Sequence, residues 1–176
     1  MKPVLPDLLA PGLQLVICGS AAGSVSARRG AYYAGPGNKF WRILAETELT
    51  PRLLRPEEFP LLPEFGIGLT DLAKHGSGPD SAIKRDHYDP EGLLVRVRDC
   101  RPGVLAFNGK RAASVFLGTK SGDLAYGIQS PLPNFPPIFV LPSTSGLASG
   151  NWDATHWHQL ARFRRSSVTS VCAPFP

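Results

Sequence analysis

Apolar positions fall in short runs separated by polar or turn-forming stretches, and the two alternate along most of the chain. Leu13–Ile17 is too short and too uniformly apolar for a surface helix, so it reads as a buried parallel strand. It opens into Gly19-Ser20-Ala21-Ala22-Gly23, small residues that let a ligand approach the backbone. Asn38 to about Glu46 predicts a helix with Phe40, Trp41, Ile43 and Leu44 on its apolar side. Thr50-Pro51 and Arg55-Pro56-Glu57-Glu58 each have the form of a helix start. The segment 65–73, FGIGLTDLA, predicts a second strand with Thr70-Asp71 at its polar tip, followed by a loop from Lys74 to His87. Asp89-Pro90-Glu91 caps a helix whose Leu93, Leu94, Val97 and Cys100 recur at helical spacing. Val104–Phe107 forms a third strand and ends at Asn108-Gly109-Lys110, where another helix begins. After a turn-rich stretch with room for an irregular edge strand, Ile138–Leu141 is the fourth strand. A last helix spans about Asn151 to Arg165, and 166–176 shows no pattern.

Strands alternating with helices predict an α/β fold: one domain over 1–176, its core about 10–165, in three layers around a four-stranded, mainly parallel sheet. In such a sheet the carboxyl ends of the strands share one edge, which is where open α/β sheets bind their ligands. Gly19–Gly23, Thr70-Asp71 and Ser143–Leu147 would then form one composite site.

Composition narrows the class. The chain has 176 residues, 43% of them hydrophobic, enough for a core without staples. No run approaches membrane-spanning length and the first residues carry no signal-peptide pattern, so a cytoplasmic location is the default. Cys18, Cys100 and Cys172 are too few and too far apart for a disulfide framework or a cluster, and none is assigned a catalytic role. A net charge of +5 is compatible with a polyanionic partner without requiring one. His156 and His158 lie two apart on a helix and make a poor metal pair; His75 and His87 sit in a polar loop. Neither a phosphate loop nor a nucleophile elbow is present.

A more specific signal lies in Gly23–Trp41, GSVSARRGAYYAGPGNKFW: a Gly, a Ser three on, an aromatic ten on, and the ending P-x-N-[KR]-F-W. Without a gap, this resembles the first motif region of the mismatch-specific uracil/thymine DNA glycosylases. The loop LPSTSGL, Leu141 to Leu147, resembles that family's second motif, and FGIGLTDL and LAFNGK match its two middle strands. The resemblance implies cleavage of the N-glycosidic bond of a damaged base rotated out of double-stranded DNA by a monomer, without cofactor or metal. It places Tyr33 where the flipped base stacks, with Ser20, Ala21 and Asn108 around the pocket. Leu147 takes the wedge position, and Gly146 and Ala148 meet the opposite base. Ser26, Ser145 and Lys110 fall near the backbone phosphates, with Arg28 and Arg29 as further cations.

One departure changes the chemistry. Ala21 stands where the family has the Asn that positions the attacking water, and a methyl group cannot do this. Asp71 is the first candidate to supply the missing group, because an anion near the sugar both stabilises oxocarbenium charge and accepts a proton. Asp86, in a loop, and Asp89, at a helix cap, are weaker candidates. Two other readings stay open: a lesion-binding protein of the same fold that has lost catalysis, and an enzyme acting on free nucleosides, against which the wedge loop argues.

Overall fold

The computed structural model describes residues 2–169. Strands β1 (Leu15–Ala22), β2 (Ile67–Ser77), β3 (Leu105–Asn108) and β5 (Ile138–Leu141) are mutually parallel, and β4 (Gly127–Ile128) runs antiparallel to β5. The order across the sheet is β2-β1-β3-β5-β4. The expected four parallel strands are therefore present, but the sheet has five, because the turn-rich stretch contributes a two-residue edge.

Helices α1 (Ser24–Arg29), α2 (Phe40–Glu46), α3 (Pro90–Cys100), α4 (Lys110–Leu117) and α5 (Thr155–Thr169) complete the fold. Side chains alternate across a strand, so the sheet has two different faces. Leu15, Ile17, Ile67, Leu69, Ala106 and Leu141 pack with Phe40, Leu44, Trp157 and Leu160 of α2 and α5. Val16, Cys18, Leu105, Phe107 and Val140 pack with Leu93, Val97, Ala112 and Ala113 of α3 and α4. The result is three layers.

Local signals account for several boundaries. Asn38 Oδ1 accepts from the Phe40 amide and starts α2, and the Asp89 side chain accepts from the Gly92 amide at the start of α3. Other expectations are corrected. Thr50-Pro51 starts no helix, and Arg55-Pro56 begins a 3-10 helix, Pro56–Phe65, whose Pro60 and Pro63 forbid α-helical bonding. Gly23–Arg29, expected as loop, holds the short α1, and α5 starts at Thr155 after a 3-10 segment, Gly146–Asn151. Residues 170–176, including Cys172, lie outside the described residues.

The largest correction concerns β2, which runs on to Ser77 instead of ending near Asp71. Its outer edge is covered by the N-terminal segment: Leu8 and Leu69 exchange amide–carbonyl bonds, and the Val4 amide donates to the Lys74 carbonyl. That cover holds a polar sequence in strand conformation where the hydrophobic pattern alone predicts a loop. Asp7 anchors the segment, accepting from Thr70 Oγ1 and from Lys74 Nζ, both at 2.6 Å. No helix among the described residues is long and apolar enough to cross a membrane.

Asp7→Ala would leave the buried Lys74 ammonium without its carboxylate. The expected outcome is a loss of about 2–3 kcal/mol in urea unfolding, the cost of an unpaired buried charge.

Candidate active site

The site is built on the sheet face that packs α2 and α5. Continuing the alternation that buries Leu15 and Ile17, Ile67 and Leu69, and Ala106 brings Gly19, Asp71 and Asn108 to that same face. Gly19 is the register partner of Asp71. A Cβ built on Gly19 would lie 2.6 Å from Asp71 Oδ1 and 3.2 Å from the Tyr33 hydroxyl oxygen. Only a glycine leaves room for both oxygens.

Asp71 is 3% exposed, and its carboxyl is pushed up to about 7. Burial is the main cause; Lys74 and Arg96 oppose it, and Asp7 adds to it. Arg96 also reaches the Asp71 carbonyl oxygen at 3.4 Å. A carboxyl in this state is divided between acid and base near neutral pH, the condition general acid–base chemistry requires.

Tyr33 stands above this pair. Its ring stacks on Phe40, with centroids 3.8 Å apart and planes inclined by 24°. Phe40 covers one ring face, so a planar ligand can stack only on the other. The backbone of Tyr33 is left-handed, φ 54°, a strained conformation for an aromatic residue. It is pinned on both sides: the Ala34 amide donates to Ser26 Oγ at 3.0 Å, and Trp41 Nε1 donates to the Tyr32 carbonyl at 3.1 Å. The Tyr33 hydroxyl is buried and has no hydrogen-bond partner among the described residues. Desolvation and the nearby Asp71 raise it well above the usual phenol range, so it stays protonated. The Asn108 amide lies near enough to ease its ionisation, but the geometry falls short of a hydrogen bond.

Asn108 itself is locked. Its Nδ2 donates to Thr144 Oγ1 at 2.8 Å, and its Oδ1 accepts from the Thr144 amide at 3.0 Å. The Thr144 carbonyl accepts from the Lys39 amide at 2.9 Å. A Cβ on Gly146 would come within 2.9 Å of the Pro36 carbonyl oxygen. The loop after β5 is thus held against the loop that carries Tyr33. At its tip Leu147 is 87% exposed, a large apolar side chain with no core to join.

Not every candidate sits where the motif pattern suggests. Ser20 is buried, and Ala21, half-buried beside the bulge at the end of β1, packs with the cluster on the opposite sheet face. Ser26 is 4% exposed and spends its hydroxyl oxygen on the Ala34 amide. Ser145 Oγ accepts from the Leu147 amide at 3.3 Å, and its carbonyl from the Ala148 amide at 3.0 Å, which shapes the tip. Lys110 Nζ lies 4.5 Å from the centroid of the Tyr126 ring. Arg29 pairs with Glu57, and Arg28 is exposed. Asp86 is exposed, Asp89 serves as the α3 cap, and no cluster of metal-ligating residues occurs among the described residues. Sequence reasoning missed Phe40 as the support of Tyr33, Gly19 as the contact point, and Thr144 as the loop clamp. Only the first is within a few residues of its partner, so no local signal pointed to the others.

The family model for the uracil DNA glycosylase superfamily matches residues 6–165. The chain belongs to that superfamily. The match takes in both loops of the site, as well as β2 and Asp71. A solution structure of a candidate uracil DNA glycosylase from Methanosarcina acetivorans is similar in fold: the TM-score is 0.62, with 24% identity over 93% of this chain and 98% of that one. Superfamily membership supports a glycosylase role with DNA as partner, and the α/β architecture agrees with it.

Asp71 also sets a test on stability. Its folded value of about 7 lies above its unfolded value of 3.8, so the folded state binds the proton more tightly. Stability from this group is complete below pH 4 and is lost as pH rises through 7. Asp71→Asn should therefore stabilise the protein above pH 7, by at most about 4 kcal/mol, and hardly at all at pH 4. Thermal unfolding of both proteins across pH 4–8 measures this.

Proposed function

We propose that the protein is a monofunctional DNA glycosylase that hydrolyses the N-glycosidic bond of uracil flipped out of a duplex, U·G mismatches foremost, and leaves an abasic site. The observation that carries this is the buried Asp71 carboxyl, set against Gly19 and next to the Tyr33 hydroxyl, in a chain with Ala21 where the mismatch-specific family it resembles has the water-positioning Asn.

In this reading the base stacks on the face of Tyr33 that Phe40 does not cover. Leu147 fills the gap in the duplex, which explains why so large an apolar side chain faces water. Gly146 and Ala148 flank it against the opposite base, and Ser145 and Lys110 lie toward the phosphates. As the bond from C1′ to the base breaks, its electron pair leaves with the base and positive charge develops on the sugar. The Asp71 carboxylate stabilises that charge and takes a proton from the water that attacks C1′. Water is the only co-reactant, so no cofactor enters. A monomer acting in the cytoplasm suffices for this work.

The decisive assay is uracil release from a U·G duplex. Asp71→Ala and Asp71→Asn should lose about 10²–10⁴-fold in kcat, the usual worth of a positioned general base. Full activity in Asp71→Ala would remove Asp71 from the mechanism. Tight binding to mismatched or abasic duplex, with no base released from any substrate by the wild type, would favour the lesion-binding alternative. In the wild type, kcat should rise with pH and level off above about 7, because the carboxylate is the working form.

Leu147→Ala should weaken release from duplex about tenfold or more while leaving release from single-stranded substrate nearly unchanged. Equal loss on both substrates would count against the wedge.

A further inference from the structure

The Tyr33 hydroxyl has no task in stacking. A ring stacks equally well without it, yet this hydroxyl is buried, unpartnered, and carried on a strained backbone. A buried donor without a partner is costly and calls for a reason. Its position supplies one. The hydroxyl oxygen and Asp71 Oδ1 both converge on the face of Gly19 where a side chain would otherwise stand.

We propose that the Tyr33 hydroxyl is a positioning group for Asp71, donating a hydrogen bond to the carboxylate when it is ionised. The proposal rests on Asp71 being the base, and it gives the motif aromatic a second role. Stacking and orientation of the base would then be set by one side chain, so a nucleotide seated on the ring is registered against the group that activates water.

The surroundings of Asp71 leave this role to Tyr33. Lys74, on the same strand, is committed to Asp7 Oδ1 and to the Leu5 carbonyl at 3.0 Å. Asp7, from the N-terminal segment, is itself an anion and raises Asp71. Arg96, from α3, lies 3.7 Å from Asp7 Oδ2 and meets Asp71 through the backbone carbonyl. Tyr32 donates to the Pro6 carbonyl at 3.1 Å. Cys18, on β1, is buried, donates weakly to the Gly19 carbonyl, and is raised by desolvation. Two of these groups keep an unspent strong donor, Arg96 Nε and the Tyr33 hydroxyl; Arg96 Nε faces Asp7 Oδ2, whereas the hydroxyl meets Asp71 Oδ1 over Gly19. On its other side the Asn108 amide, held by Thr144, stands ready to donate into the phenol oxygen and strengthen it as a donor.

The test is Tyr33→Phe, which keeps the ring, read by carbon NMR titration of the Asp71 carboxyl in the free protein. Removing a bond that favours the ionised form should move the Asp71 titration upward by about one unit, and the acidic limb of the uracil-release profile by the same amount. At pH 7 that is a several-fold fall in kcat. An Asp71 titration unchanged in Tyr33→Phe would overturn the proposal. If the titration moves but Asp71→Ala releases uracil at the wild-type rate, the link between the two groups stands and the catalytic reading of Asp71 fails. Should Tyr33→Phe not fold, the wild type answers directly: the Tyr33 hydroxyl proton resonance should move downfield as pH rises, in step with the Asp71 titration, and a resonance that does not follow that titration would refute the bond.

Discussion

The site depends on one register: Gly19 of β1 lies opposite Asp71 of β2 in a parallel pair. A slip of one residue would turn Asp71 to the other sheet face, among Leu93 and Val97, and away from Tyr33. Register is held by uniformly apolar neighbours, Leu15 against Ile67 and Ile17 against Leu69, none of which tolerates exposure. The proposed chemistry is thus placed by core packing two and four residues upstream of it.

The second constraint is desolvation. A carboxyl at 3% exposure with opposing and like charges at a distance carries a standing cost in stability. The fold offsets it with the N-terminal cover of β2, the Asp7–Lys74 pair and two well-filled cores. Such a trade is common at active sites, where a group made useful by its environment is also made less stable by it. The left-handed Tyr33 belongs to the same pattern, a strained residue fixed by Ser26 and Trp41.

Two loops from distant parts of the chain must agree for the proposed DNA-binding edge to form. Thr144 joins them: its amide and hydroxyl engage Asn108 at the end of β3, and its carbonyl engages Lys39 at the start of α2. The exposed Leu147 is therefore carried on a framed tip rather than a free loop, and its distance to the Tyr33 pocket is set by the same bonds that close the sheet edge.

Much of this was determined by the sequence alone. Alternation of apolar runs with helical spacing specified the α/β class, the parallel strands and the edge where small polar residues gather. The ungapped Gly23–Trp41 motif pointed to Tyr33, and the LPSTSGL loop to Leu147. These signals are local, carried by residues within one element or turn. Tertiary structure alone decided the rest. β2 extends past Asp71 because β1 pairs with it on one side and the N-terminal segment on the other, and Asp71 is buried where Gly19 and Tyr33 meet it. Gly19 is demanded by two oxygens arriving from positions 33 and 71, and Ser26 is an internal tie because its hydroxyl meets the chain again at Ala34. Local propensity reports what a segment prefers; which carboxyl loses its water depends on which distant segments close over it.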